Sequence, residues 1–152
     1  EKFKEVPVID SDEFANYDGY FLGSPTLHCT MAPQFGYFFS TLGKLWMTAG
    51  LEGKLFSVFG SHIAQQGGGD AAKLAMISAC VSFGMVFVSF PASFKGLNTI
   101  KEIHGVSKFG VSTVSGGDKK DNLPTQLEAD AARYHGQHMV KLAKKMIQSD
   151  LQ

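Results

Sequence analysis

A chain of 152 residues is long enough to bury one core, and its 14 basic and 14 acidic side chains leave no net field to draw it to nucleic acid or an anionic membrane. Aromatic residues, mostly phenylalanine, make up 12% and set disorder aside, while two cysteines, Cys29 and Cys80, are too few for a disulfide framework and read as reduced thiols. No apolar run reaches the roughly 18 residues of a membrane span, and the Glu1-Lys2-Phe3-Lys4-Glu5 start is no secretory signal, so the expectation is a soluble, intracellular, single domain over 1–152.

Short apolar strands alternate with helices along the chain. Asp18-Gly19-Tyr20-Phe21-Leu22-Gly23, closed by Ser24-Pro25, reads as a buried strand ending at a loop. Pro33 suits the first turn of a helix running through Phe35, Phe38, Phe39 and Leu42. Lys54-Leu55-Phe56-Ser57-Val58-Phe59 is a second strand. Gly67-Gly68-Gly69 follows, with Asp70 as the expected cap of a helix whose apolar residues Leu74, Ile77 and Val81 recur at helical spacing. Gly84 ends that helix, and Met85-Val86-Phe87-Val88-Ser89-Phe90 reads as a third strand, apolar on both faces. A glycine-punctuated stretch over 91–110 allows a helical turn around 100–103. Val111-Ser112-Thr113-Val114 is a short last strand, and Ser115-Gly116-Gly117-Asp118 a turn. In the final helix Thr125 and Glu128 make a capping box, and Ala131, Tyr134, His138, Val140, Leu142 and Met146 are the expected apolar side. This alternation predicts an α/β fold, a parallel sheet with helices on both faces, and directs attention to the loops at the carboxyl ends of the strands.

Motifs in those loops carry a resemblance. Gly23-Ser24-Pro25-Thr26, Gly43-Lys44-Leu45-Trp46, Leu51-Glu52-Gly53-Lys54-Leu55, the triple glycine, Gly84-Met85-Val86, Ser115-Gly116-Gly117-Asp118 and Arg133-Tyr134 with Gly136 stand in order over essentially the whole chain. Together they resemble the tryptophan-repressor-binding-protein family of NAD(P)H:quinone oxidoreductases. The resemblance implies a flavodoxin-like three-layer sandwich, FMN as cofactor, oligomers, and two-electron quinone reduction. It also implies that this sequence starts near the linker before the family's third strand, so that the first two strands, the first helix and the phosphate loop lie outside it. If FMN is kept, the matching positions are Pro25, Thr26, Leu27, Trp46, Ser61 and Gly67.

Several of these positions depart from the family pattern. Leu27-His28-Cys29-Thr30 stands where the family has Arg-Phe-Gly-Asn, which removes a cation and puts cysteine where glycine would take a positive φ without strain. Ser61-His62-Ile63-Ala64-Gln65-Gln66 replaces a shorter Ser-Thr-Gly-Thr, and Phe83 replaces a histidine near the family's redox site. Among the remaining residues, Trp46 reads as packing unless it borders a ring. His135 and His138, three apart with no third ligand, read as surface or interface residues rather than a metal site. His28 and His62 read as solvated loop residues, Cys29 as an inert thiol, and no catalytic residue is assigned.

The preferred expectation is a non-catalytic structural or assembly subunit without FMN. A sheet lacking its first strands exposes an edge that its own N-terminal residues, a homo-oligomer partner or a larger complex must cover. The alternative is an active FMN-dependent NAD(P)H:quinone oxidoreductase that includes a phosphate-binding segment outside this sequence.

Overall fold

The computed structural model describes residues 5–116 and 123–149. Its elements run α1 (Ser11–Phe14), β1 (Gly19–Pro25), α2 (Pro33–Thr41), α3 (Gly43–Met47), β2 (Leu55–His62), α4 (Gly69–Val81), β3 (Val86–Phe87), β4 (Val111–Val114) and α5 (Gln126–Ser149). All strand pairs are parallel. β2 is central, with β1 along one side in register Gly19↔Leu55 to Pro25↔Ser61. Along its other side β3 pairs with Leu55 and Phe56, and β4 with Phe59 to His62. β3 and β4 therefore lie end to end on one edge, as two pieces of one strand line interrupted by residues 88–110.

Period-two alternation sorts the strand side chains to two faces. On one face Tyr20, Leu22, Phe56 and Val58 meet Leu42, Leu45, Met76 and Cys80, so α2, α3 and α4 cover this side. On the other, Leu55 packs with Val88 and Met139, and Ser57 meets His135, so α5 covers that side. The expected parallel sheet between helical layers is the observed architecture.

Several local expectations are corrected. The third strand is only Val86–Phe87, not 85–90. Val88 still donates to Phe56 O (2.7 Å), but its carbonyl is taken by the Ser57 hydroxyl (2.8 Å), and the ladder stops there. Residues 100–103 form no helical turn, only a bend at Lys101 and Glu102. The N-cap of α4 is Gly68 at φ 77°, with no side-chain cap; Asp70 lies inside the first turn and pairs with Lys73 instead. The buried side of α4 is Ala72, Lys73, Met76 and Cys80, while Leu74 and Val81 are exposed. On α5 the capping box forms as expected, Thr125 N donating to Glu128 Oε2 (2.8 Å) and Glu128 N to Thr125 Oγ1 (3.2 Å). Its buried stripe, however, is Glu128, Ala131, His135 and Met139, and Val140 and Met146 face outward. The helical turn α1, absent from the sequence expectation, is capped by Asp10 and buries Phe14 against Tyr20 and Phe38. The polar stretch 117–122 lies outside the described residues.

The interruption between β3 and β4 is itself folded. Phe90, Leu97 and Val106 bury against Val111 and Ala131 with Phe94 alongside. Lys73 reaches out of α4 to hold it, donating to Ser107 Oγ (2.8 Å) and Gly110 O (3.1 Å) while paired to Asp70 (2.9 Å).

Candidate functional site

The loops after β1, β2 and β4 are stitched together at the carboxyl end of the sheet. Thr26 N donates to Ser61 O (2.8 Å), Ser115 N to His62 O (2.9 Å) and Gly116 N to Ile63 O (2.9 Å). After Pro25 the chain turns through a two-residue hairpin. Leu27 and Thr30 exchange both backbone hydrogen bonds, and His28 (φ 49°) and Cys29 (φ 62°) take the positive-φ places between them. Cysteine thus adopts the conformation expected to need glycine.

That turn sets Cys29 against the glycine junction at the start of α4. A Cβ on Gly68 would stand 2.5 Å from Cys29 Sγ, and one on Gly69 would stand 2.4 Å from His62 Cδ2. Gly67 closes a tight turn on Ala64 O (2.8 Å). His62 is buried, not solvated, and its Nδ1 donates to Ala64 O (2.7 Å). The glycines therefore make room for this chain's own side chains. A phosphate needs open N–H groups and benefits from a cation. Here Asp70 places a carboxylate in the first helical turn, and the nearby Lys73 is spent on Asp70, Ser107 and Gly110. The junction at the start of α4 therefore does not fit a phosphate.

A larger opening lies on the α5 face, a groove of about 640 Å³ between β1, β2, β4 and α5. Phe21 and Phe59 form its floor and remain 41% and 47% exposed. The Phe59 ring lies over Gly23, where a Cβ would come within 2.1 Å of it, so only glycine fits there. Ala129, Ala132 and Gly136 of α5 make one wall and Pro124 its end. Ser24, Ser61, Ser112 and Thr113 also line it, and two titratable groups, Glu128 and His135, border it. Glu128 accepts four hydrogen bonds, from Gly105 N, Val114 N, Thr125 N and Thr113 Oγ1, at 2.8–3.0 Å. Burial alone would raise its pKa, but these donors outweigh burial and hold the carboxylate below its ordinary range. His135, 1% exposed, contacts Ser57 Oγ through Nε2 at 3.0 Å; the Ser57 hydrogen is committed to Val88 O, which places the imidazole proton on Nε2. Burial pushes the His135 pKa down to about 4, so the ring is neutral at pH 7.

Of the residues expected to meet a flavin, Pro25 and Ser61 border the groove, Thr26 sits beside them in the ladder, Leu27 opens the hairpin and Gly67 lies in the adjoining turn. Trp46 is not brought to them. Its indole, 61% exposed, donates to Ser82 O (3.0 Å) past the end of α4, beside the Gly84 that leads into β3. That is the amino end of the sheet, opposite the loops. The reading of His135 as a surface residue is corrected: it is the buried histidine of the groove. Its signal was in the sequence, since Glu128, Ala131, His135, Met139 and Leu142 follow helical i, i+3, i+4 spacing, but two of the five are polar types that rarely fill a buried stripe. Among the described residues no group of three or more His, Cys, Asp or Glu is placed to hold a metal, and no helix is long and apolar enough to cross a membrane.

No protein-family model matches the sequence. Curated relatives do. A Rhizobium rhizogenes protein named NAD(P)H dehydrogenase (quinone) is 36% identical over 144 residues, which cover 95% of this chain and 72% of that protein. A Sinorhizobium fredii protein of the same name is 38% identical over 141 residues, covering 93% of this chain and 70% of the relative. Among solved structures, a flavodoxin, WrbA-like protein from Agrobacterium tumefaciens superposes with a TM-score of 0.64 at 16% identity, over 90% of this chain and 74% of that one, a likeness of fold.

Proposed function

This chain belongs to the flavodoxin-like NAD(P)H dehydrogenase (quinone) family, and within it we propose a non-catalytic structural subunit that holds no FMN of its own. The observation that carries this reading is the packed loop cluster at the carboxyl end of the sheet, where Cys29 on Gly68 and His62 on Gly69 fill with this chain's own side chains the space beside the positions expected to border a flavin. The commitment of Lys73 to Asp70, Ser107 and Gly110 supports it, as does the place of Trp46 at the far end of the sheet. The subunit works in an assembly, a homo-oligomer or a larger complex, that covers the open side of β1. Two free cysteines suit a reducing, intracellular compartment. Titration of the natively purified protein with FMN, followed by quenching of flavin fluorescence, tests the reading. No saturable quenching is expected; stoichiometric binding would overturn it.

A second reading is favoured by the name shared by the relatives. In it the chain is an FMN-dependent NAD(P)H:quinone oxidoreductase when a phosphate-binding segment is present, and Pro25, Thr26, Leu27, Ser61 and Gly67 border the flavin. Turnover of NADH with a small benzoquinone by the natural protein, purified from its source, would establish it. Absence of turnover with FMN supplied would remove it.

A further inference from the structure

We infer that the amino end of the sheet is a self-complementary docking face, on which a second copy of this chain sits across a two-fold axis. This goes beyond the reading above. The contact lies away from the outer edge of β1, to which residues 5–18 add no strand, and it involves no flavin.

Opposite charges stand on opposite layers at this end. α1 lies on the α2 face, where Phe14 packs against Tyr20 and Phe38, and with its flanks it carries Asp10, Asp12, Glu13 and Asp18. Two lysines reach this corner, Lys44 to Asp12 Oδ1 at 3.3 Å and Lys54 to the Tyr17 carbonyl at 2.8 Å. Four acids against two lysines leave the corner two charges negative.

On the other layer α5 brings its last turns to the same end. Met139, Leu142 and Ala143 pack with Leu55, the first residue of β2. A Cβ on Gly19, the first residue of β1, would stand 3.2 Å from Met139 Cε. The helix then runs past the strand ends, and residues 144–148 are all exposed. Lys141, Lys144 and Lys145 lie there, and residues 131–149 contain no acid. The ion pairs among the described residues use Lys44, Lys73 and Arg133, which leaves these three lysines without one. Cations suit the end of a helix, which accounts for the lysines but not for the apolar residues among them.

Those residues continue across the end. Trp46 and Met47 are 61% and 81% exposed, and Val81 is half-exposed next to Ser82, whose carbonyl holds the Trp46 indole. On the α5 layer Val140 and Ile147 are half-exposed. Tryptophan and methionine are types that favour the centre of an interface.

Charge then selects the symmetry. A two-fold axis perpendicular to the sheet would set acidic layer against acidic layer. An axis in the plane of the sheet, running across the strand ends, carries the acidic corner of each copy onto the lysines of its partner. It also turns Trp46 and Met47 toward the partner's α5 layer. Exposed ion pairs contribute little one by one, so the apolar residues supply most of the contact and the charges set its register.

Trp46 is the chain's only tryptophan, so its emission reports the contact directly. Sedimentation velocity and Trp46 emission, followed from micromolar to millimolar protein, should show a dimer with blue-shifted emission. Its dissociation constant should rise about tenfold or more from low to high salt. Asp12→Lys with Asp18→Lys in one variant, and Lys144→Glu with Lys145→Glu in a second, should each be monomeric. All four positions are exposed, and Asp12 pairs only with the exposed Lys44. An equimolar mixture of the two variants should dimerise again, because both contacts then join opposite charges. A monomeric unmodified chain overturns the proposal, as does a mixture that stays monomeric. A dimer that survives in either variant, or that salt does not weaken, also overturns it and gives the association to another face such as the β1 edge. If a variant fails to fold, the salt dependence and Trp46 emission of the unmodified chain decide alone. No readout involves flavin, so the result stands apart from the FMN titration.

Discussion

His28 and Cys29 hold the two central places of a hairpin turn with φ values of 49° and 62°, a conformation that suits asparagine and glycine. Left-handed backbone costs a residue with a β-carbon on the order of 1 kcal/mol. Two backbone bonds between Leu27 and Thr30 and the contact of Cys29 with Gly68 hold it in place. The double variant His28→Asn, Cys29→Gly should relieve the strain and lose the sulfur contact, for a net gain of about 1 kcal/mol seen as a higher midpoint in urea. A lower midpoint would mean that the thiol contact outweighs the strain. The two thiols also differ in accessibility. Cys29 is exposed, whereas Cys80 is fully buried and pushed by burial up to about 12. A thiol reagent at pH 8 should modify Cys29 alone in the native protein, and both after denaturation. The departure from glycine at position 29 was legible in the sequence. That cysteine would take the glycine conformation regardless was not, because the hydrogen bonds closing Leu27 on Thr30 decide it and composition does not reveal them.

Among the elements, α4 has a role beyond covering the sheet. Lys73, fully buried, ties its first turn to the far end of the interruption between β3 and β4, and Asp70 is its counter-charge. Burial lowers the Lys73 pKa, and the Asp70 carboxylate works against that shift. Asp70→Ala would leave a buried ammonium without an anion and should cost about 3 kcal/mol, whereas Asp70→Asn, which keeps an oxygen acceptor for Nζ, should cost less. Limited proteolysis should show the same order, with cleavage within 88–110 fastest in Asp70→Ala; equal cleavage in both variants would break the link between the ion pair and that segment. The sequence placed every helix-forming segment except α1 and α3, and it revealed the Thr125–Glu128 box, because caps and periodicity are local signals. It misjudged which faces of α4 and α5 are buried. Both helices carry apolar residues around much of their circumference, and only contact with Met76 and Cys80 on one side, or with Ser57 and Leu55 on the other, selects the inward face. Asp70 was read as a cap for a related reason: cap and first-turn positions favour the same residue types, and the positive φ of Gly68 settles the boundary.

For the molecule as a whole, the groove face stores a dependence on acidity. His135 is buried between the Phe21 and Phe90 rings, each 5.2 Å away, and donates to Ser57 as a neutral ring. Its folded pKa is about 4, against about 6.5 for a histidine in the unfolded chain. The folded state therefore binds fewer protons across that window, so stability is fully present above pH 6.5 and falls as pH drops toward 4. The loss over the window is about 3 kcal/mol. Glu128 acts in the same direction at lower pH: its carboxylate is held below the ordinary range by four donors, and its contribution is lost as pH falls through that depressed folded value. Urea midpoints between pH 7 and pH 4 should therefore decline steadily, and His135→Gln, which keeps a donor for Ser57 but does not titrate, should flatten the decline while lowering stability at pH 7. An unchanged decline in that variant would assign the acid sensitivity to other groups.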